Sequence, residues 1–407
     1  MPIQKITSGI IQDGAVAAAD IVSVSNTAIS GLITASQIAA VNGSVITANT
    51  IANSAIQTGA VENYIASTGR PLTNRNLIIN GAMQIAQRNT SVTSITTGDY
   101  RTADRWYFYV SSTGTWTMNV ESSAPTNTEF RNSSNVICTT ADSSLSAGDE
   151  LAIIQNIEGL NCQGIKKGTA NAESITVSFW VKSSNTGTFI CELRDEDNSR
   201  QISKTYTINA ANTWEKETIT FPPDTTGAFD NDSNSSLRLF LWLAAGSNFT
   251  SGTLNSTAWA SSVNTNRVVG QLNLANRVGN YLAITGVQLE TGTVATPFEI
   301  RQYGTELALC HRYYYDTVST SGAGISATGL IASTNFPVTM RTAPSVQLWY
   351  GGTQNRIYKI TDAAQITFSS ITFLNSSTGI QAFYDFTVST VGVGTGYLMQ
   401  FKCNAEL

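Results

Sequence analysis

Charged residues are scarce in this chain. Asp, Glu, Lys and Arg make up 13% of the 407 residues, about half the share that is usual in globular proteins. The formal net charge of -5 and a pI near 5.0 leave no basic stripe that could neutralise phosphates, which argues against a nucleic-acid partner. Lysines occur singly or as the pair Lys166-Lys167, which we expect to lie in a solvated turn.

Cysteine is also infrequent, and its spacing carries no metal or disulfide pattern. The five cysteines are far apart and never form a CxxC pair, so the sequence predicts neither a zinc site nor a disulfide framework. Buried free thiols are the expectation. The residues concerned are Cys138, Cys162, Cys191, Cys310 and Cys403.

Long apolar runs are missing too. No stretch is apolar enough to span a bilayer, so we expect no membrane insertion. The first residues, MPIQKITSGIIQDG, lack the basic region and apolar core of a signal peptide. The sequence therefore predicts a protein made in the cytoplasm and not exported by a signal peptide.

The motifs of common catalytic sites are absent. There is no GxSxG, no HExxH, no Walker loop and no GxGxxG after a strand. The single histidine, His311, lies within a predicted helix, and we expect a structural or surface role for it. A pair of carboxylates, as a glycosidase needs, is the one catalytic arrangement that the sequence leaves open.

One acidic turn partly copies a calcium-binding loop. Asp230, Asp232 and Asn234 match its first positions. Ser235 and Leu241 then replace its glycine and its closing glutamate. We predict no metal ion and no cofactor.

Residues 1–69 follow a repeat of their own. Aliphatic residues recur every five positions, which fits neither a helix nor a strand. Small polar residues fill the gaps, so one copy would bury too little to offset its ordering entropy. Three copies around a shared axis would bury the aliphatic row, which predicts an intertwined shaft or anchor; a disordered linker is the alternative. The clearest run is Val41, Ile46, Ile51, Ile56 and Val61.

From residue 70 onwards the pattern is that of β-strands. In SITVSFWVKSS, the alternation of Ile175, Val177 and Phe179 with polar neighbours predicts a strand with one buried face. SLRLFLWLAA, from Ser236, is apolar on both faces and should be a central strand. Strands separated by turn clusters predict an antiparallel β-sandwich for residues 70–302.

A single helix is predicted between two β regions. After a strand from Tyr281 to Glu290, residues 303–316 carry apolar residues three and four positions apart at Leu307, Cys310 and Tyr314. The helix connects the central domain to residues 317–407, which read as a small β-sandwich tip. The predicted architecture is therefore mostly β, with one short connector helix.

Two segments carry a family resemblance. The run ITGVQLETGTVATPFEIRQYGTELALCHRYYYD, ending at Asp316, resembles the closing segment of tail fibre and receptor-binding proteins of tailed bacteriophages. NLIINGAMQIAQR, at 76–88, followed by TADRW resembles the opening of the same module. The segment between them is similar to the jelly-roll scaffold of carbohydrate-binding modules.

This resemblance implies a homotrimeric fibre or adhesin in the virion. Its N-terminal segment would be held by phage tail or baseplate proteins, and its tip would bind a host surface polysaccharide. Synthesis in the host cytoplasm and release by lysis fit the lack of a signal peptide. Multivalent attachment rather than catalysis is the expected mechanism. A capsule depolymerase and a purely structural tail component are the alternatives.

Aromatic residues supply the candidate binding site. Trp349, Tyr350 and Tyr358 flank the turn GGTQNR in the tip, and such rings stack on the apolar faces of sugars. The alternative for these three is the edge of a core. Four other tryptophans lie in strand patterns and are expected in the core: Trp106, Trp180, Trp214 and Trp242.

Overall fold

The computed structural model divides the chain into two units, Met1–Gly69 and Arg70–Leu407. It describes residues 73–316, 320–326, 329–367, 374–383 and 392–407. The predicted shaft of residues 1–69 lies outside these residues. The proposed domain limits at 69, 302 and 316 remain predictions.

Within the described residues 73–291, the chain forms eleven antiparallel strands and two short α-helices. The helices are α1 (Gly159–Cys162) and α2 (Ser247–Thr250). The strands are β1 (Ser91–Tyr100), β2 (Tyr107–Glu121), β3 (Ser133–Thr140), β4 (Glu150–Glu158), β5 (Ile175–Ser183), β6 (Gly187–Asp195), β7 (Arg200–Ile208), β8 (Glu215–Phe221), β9 (Ser235–Ala245), β10 (Ala260–Ser261) and β11 (Tyr281–Thr291).

The long strand β2 joins the two layers of this sandwich. The strand order is β10-β7-β6-β9-β4-β2-β3-β11-β5-β8, with β1 paired to β2. The first residues of β2, Tyr107–Ser111, pair with β4, and its later residues, Thr115–Glu121, pair with β3. The predicted antiparallel sandwich is confirmed.

The main core lies between the layers and follows the predicted alternation. Val177 and Phe179 of β5 are fully buried with Leu239 and Leu241 of β9 in one cluster. Each such side chain contributes about 1.5–3 kcal/mol through burial. Strand β9 lies between β4 and β6, so the prediction of a central strand is confirmed.

Two of the four tryptophans that were expected in the core are there. Trp106 and Trp242 are fully buried. The expectation for Trp180 and Trp214 was wrong, because both are half-exposed. Trp180 points away from the core, since its neighbours Phe179 and Val181 occupy the buried face of the strand.

All five cysteines are buried and free, as predicted. Burial raises the pKa of each of these thiols above its ordinary value.

The connector helix is shorter than predicted. It forms α3 (Tyr303–His311), and Cys310 packs against Ile79 and Ile85 of the central part. Tyr314 was expected in the helix but begins strand β12 (Tyr314–Asp316). The backbone of β12 pairs with Lys402–Asn404, and this ladder replaces further helical hydrogen bonds.

The C-terminal part folds around one long strand, β21 (Gly396–Asn404). Its first half pairs with β13 (Thr320–Gly324) and β17 (Arg356–Lys359), and its second half pairs with β12 and β15 (Ser345–Tyr350). Leu348, Met399 and Phe401 are fully buried in the core of this part. The other strands are β13 (Thr320–Gly324), β14 (Leu330–Asn335), β15 (Ser345–Tyr350), β16 (Thr353–Gln354), β17 (Arg356–Lys359), β18 (Ala364–Thr367), β19 (Leu374–Asn375) and β20 (Gly379–Phe383).

Residues 405–407, which follow β21, return to the central sandwich, and we call them the clasp. The Glu406 carboxylate forms ion pairs with Arg105 and, at 3.2 Å, with Arg88. The Arg105 guanidinium lies 3.4 Å from the centre of the Tyr313 ring. Each of these charges is almost fully buried, so each depends on its partner.

The last residue of the clasp is held by hydrogen bonds from the sandwich. The backbone oxygen of Leu407 accepts from the Tyr100 hydroxyl and from Asn156 Nδ2, both at 3.1 Å. The same Asn156 amide donates to the Tyr100 hydroxyl at 2.9 Å. Backbone and side-chain contacts thus fix the C-terminal sheet to the sandwich.

The lysine pair does not form a solvated turn, contrary to the expectation. The Lys166 side chain is 53% exposed, but that of Lys167 is only 1% exposed. Lys167 Nζ lies 2.6 Å from Asp195 and 3.0 Å from Asp224, and donates to the Thr226 carbonyl oxygen at 2.8 Å. These acceptors follow the pair by about 30 to 60 positions, so the local sequence gave no sign of them.

Replacing the buried lysine should destabilise the sandwich strongly. Lys167→Met leaves the Asp195 and Asp224 carboxylates without their shared cation, and we expect a loss of about 3–5 kcal/mol in the free energy of unfolding. Urea denaturation measures this loss. Lys166→Met is the matched control and should change stability by less than about 0.5 kcal/mol. Equal effects of the two substitutions would contradict the buried ion cluster.

A second buried carboxylate should make stability depend on pH. Asp104 accepts a hydrogen bond from the Gln87 backbone N–H at 3.0 Å and lies 3.7 Å from Arg88. Burial nevertheless dominates and raises the pKa of Asp104 to about 6. The folded chain therefore keeps this proton between about pH 4 and 6, where the unfolded chain releases it, so the contribution to stability falls as pH rises through that window.

We expect Asp104→Asn to remove this dependence. The difference in unfolding free energy, wild type minus variant, should fall by roughly 3 kcal/mol between pH 4 and pH 7, since the shift spans about two pKa units. Denaturant titrations of both proteins at several pH values test it. A difference that is constant with pH would show that Asp104 titrates normally.

Candidate functional site

The three predicted aromatic residues of the tip do not share one surface. Trp349 and Tyr350 are neighbours in β15 and so point to opposite sides of the sheet. Tyr350 stacks on Tyr358, with ring centres 5.1 Å apart and planes at 17°. Trp349 instead lies against Lys402, whose Nζ is 4.1 Å from the ring centre. All three are half-buried.

A groove lined by several aromatic residues lies on the outer face of the central sandwich, and we call it the sandwich groove. It is a cavity of about 510 Å³. Strands β2, β4, β6 and β9 form its floor, and the segment after α2 forms one wall. The lining residues are Tyr107, Tyr109, Glu150, Ile154, Asn156, Arg194, Arg238, Phe240, Phe249, Asn264, Arg267 and Leu407.

Strand register aligns the floor residues in rows. Ile154 of β4 is opposite both Tyr107 of β2 and Phe240 of β9. Tyr109, two positions after Tyr107, points to the same face, and the two ring centres are 6.2 Å apart. The half-buried tyrosines thus present a pair of rings beside an aliphatic and aromatic floor.

A buried ion pair stiffens the opposite side of the groove. Arg267 donates from Nε and Nη2 to the Glu192 carboxylate at 2.8 and 3.0 Å. The Trp242 indole donates to the same carboxylate at 2.8 Å, and Arg267 lies 5.2 Å from the centre of the Trp242 ring. Because this bidentate pair is buried and further hydrogen-bonded, the arginine is held in one position.

Glu150 supplies a carboxylate at the edge of the groove. It accepts a hydrogen bond from the Tyr109 hydroxyl at 3.2 Å. Burial raises the pKa of Glu150, and the charge of Arg267 acts in the opposite direction. The groove therefore offers acceptors and donors around two aromatic rings, which is the chemistry that binds sugar hydroxyls and the apolar faces of pyranose rings.

None of the residues that line the sandwich groove was predicted from the sequence as a site residue. The sequence does contain a sign of the groove in the tetrapeptide from Tyr107 to Val110, where two tyrosines alternate with Phe108 and Val110. The alternation places Phe108 in the core and the tyrosines outside. Two tyrosines on the same outer face of one strand are therefore the sign of this groove that the sequence offered.

The other residues that the sequence singled out have ordinary surroundings. His311 lies edge-on to Tyr315, with ring centres 5.0 Å apart, and burial lowers its pKa. Asn234 donates its backbone N–H to Asp232 at 2.9 Å.

Within the described ranges, no group of three or more His, Cys, Asp or Glu is placed to hold a metal ion. No helix in the described part of the chain is long and apolar enough to cross a membrane.

Comparison with known proteins gives partial structural similarities. No protein-family model and no curated protein matches the sequence. The chain is similar to the enzymatically active domain of tailspike protein 4 of bacteriophage CBA120, at 15% identity and a TM-score of 0.28, over 53% of this chain and 21% of that one.

Two carbohydrate-binding modules are similar over their whole length. TmCBM61, solved with β-1,4-galactotriose, is 13% identical at a TM-score of 0.26 and matches 54% of this chain and 99% of the module. The C-terminal family 22 module of Clostridium thermocellum Xyn10B is 10% identical at a TM-score of 0.28 and matches 56% of this chain and 100% of the module. These TM-scores are too low for the similarities to indicate what this chain binds.

Proposed function

We propose that the protein is a non-catalytic glycan-binding attachment protein, and that the sandwich groove holds the sugar chain. The observation that carries this proposal is the pair of tyrosines, Tyr107 and Tyr109, in a polar cavity of about 510 Å³. The cavity volume lies within the range of ordinary ligand sites.

Several polar side chains around the sandwich groove are already held in place by hydrogen bonds within the protein. Arg267 of the lining donates two hydrogen bonds to the buried Glu192 carboxylate, which also accepts one from Trp242, so these groups are engaged within the protein. Glu150 is engaged by Tyr109. A floor whose polar groups are fixed before the ligand arrives loses little entropy on binding.

The setting we propose is a homotrimeric tail fibre of a tailed bacteriophage. The motifs at 76–88 and 284–316 support it, together with the five-residue repeat of residues 1–69. In that setting the first segment attaches to the tail or baseplate, and three copies of the groove face a host surface polysaccharide. Once one groove is bound, the other grooves of the same fibre meet the polysaccharide at a raised effective concentration, so weak binding at each groove gives a much higher overall affinity.

Tyr109→Ala should weaken binding of a polysaccharide that the wild-type chain retains. We expect affinity to fall roughly 10-fold or more, about 1.4 kcal/mol, because one of the two stacking rings and its hydroxyl are lost. A glycan array identifies the polysaccharide, and isothermal titration of the full chain measures the affinity.

Tyr281→Ala is the matched control, since Tyr281 is a half-buried strand tyrosine of β11, outside the groove. It should leave affinity unchanged. The proposal fails if no glycan is retained, or if Tyr109→Ala binds like the wild type. Shortening of the retained polysaccharide by the wild type would replace attachment with depolymerase activity.

A further inference from the structure

A second groove runs between the C-terminal sheet and the sandwich, and we call it the junction groove. Its volume is about 530 Å³. One wall is the outer face of β15 and β21, and the other is the region of β1. The lining residues are Arg88, Asn89, Val92, Asp99, Tyr100, Arg101, Tyr314, Ser345, Gln347, Trp349, Gly352, Lys402 and Asn404.

The floor of the junction groove is a stack of an arginine between two tyrosines. The Arg88 guanidinium lies 3.7 Å from the centre of the Tyr314 ring and 5.4 Å from that of Tyr100. Its Nη2 is paired with Glu406 of the clasp. Since the same residue holds the clasp and forms the floor, the floor is rigid.

The sheet wall combines one indole, one ammonium and several amides. Gln347 pairs with Lys402 and Ser345 with Asn404, so their side chains project from the same face as Trp349. The Trp349 indole N–H donates to Gln347 at 3.3 Å. Such a row of an aromatic ring and amides matches the apolar face and the hydroxyls of a sugar.

Three cations and one carboxylate line the junction groove, although the chain as a whole carries a net charge of -5. Lys402 Nζ is 3.7 Å from its carboxylate neighbour Asp316, which leaves it outside hydrogen-bond distance. Arg101 pairs with Asp99 at 3.5 Å, and its buried Nε has no acceptor among the described residues. The groove therefore holds more donors than acceptors.

We propose that the junction groove binds a saccharide that carries a carboxylate. Trp349 contacts the apolar face of the sugar ring, and Lys402, whose Nζ lies over the indole ring at 4.1 Å from its centre, donates to the carboxylate. Asp316 is opposite Lys402 in the β12–β21 ladder, accepts a hydrogen bond from Gln400 at 2.8 Å and does not line the groove. The Glu406 and Asp104 carboxylates are engaged by Arg88 and do not line it either. This site is separate from the sandwich groove and does not depend on its function.

The test uses the full chain and pairs of ligands that differ in one charge. The probes are oligomers of galacturonic, glucuronic and mannuronic acid, each with its methyl ester, and N-acetylneuraminic acid with its methyl ester. Isothermal titration should give at least one acid that binds roughly 10-fold more tightly than its ester, because a charge-assisted hydrogen bond is lost on esterification. Added salt should weaken binding of the acid.

Substitutions of its lining residues test whether the acidic saccharide binds in the junction groove. Trp349→Ala should weaken the acid and its ester alike, whereas Lys402→Gln should weaken only the acid and so remove its preference. Lys359→Gln, in β17 of the same sheet, is the control and should leave binding of the acid unchanged, whereas Tyr109→Ala tests whether the sandwich groove binds the acid instead. Thermal unfolding confirms that each variant is folded.

The proposal is overturned if no acidic saccharide binds, if acids and esters bind equally, or if Lys402→Gln keeps the preference for the acid. Loss of acid binding in Tyr109→Ala would also overturn it, since the sandwich groove would then be the acid-binding site. If Tyr109→Ala no longer binds the polysaccharide identified on the glycan array but still binds the acidic saccharide, the result supports two separate sites.

Discussion

The buried charges around the clasp determine how this molecule is put together. Removing Glu406, Arg105 and Arg88 from water is costly, and their ion pairs with one another, the Arg88–Asp104 pair and the hydrogen bond from Arg105 to the Asn156 carbonyl oxygen offset that cost. The clasp and its ion-pair partner Arg88 each border one of the two grooves. Leu407 lines one end of the sandwich groove, while Arg88 forms the floor of the junction groove. The two surfaces that carry our proposals therefore depend on the same set of ion pairs and hydrogen bonds.

Much of the sandwich could be predicted from local pattern. Alternation in β5 and the two-sided apolar character of β9 indicated which faces are buried, because a strand has a period of two and the core excludes polar groups. The end of α3 could not be predicted in the same way. The helical spacing continues to Tyr314, but the chain there pairs with β21, which lies some 90 residues later. Pairing over such a distance overrides local preference.

The candidate sites were harder to predict, for two physical reasons. Trp349 and Tyr350 are adjacent in sequence, and adjacency in a strand means opposite faces, so the predicted aromatic group could not act as one surface. Both grooves, in turn, are assembled from strands that are far apart in the sequence. Arg267 and Glu192 are 75 residues apart, and Lys402 and Arg88 are farther apart still. Their proximity is a property of the strand order and of the clasp.

The buried cysteines have a practical consequence. All five thiols are shielded from solvent and have raised pKa values, so little thiolate exists at neutral pH and none of it is accessible. The native chain should thus stay inert towards maleimides and should not cross-link with other copies during storage. A single cysteine introduced at an exposed position would then be the one reactive thiol. That makes the protein suited to carrying one fluorophore at a chosen point without removing any natural cysteine.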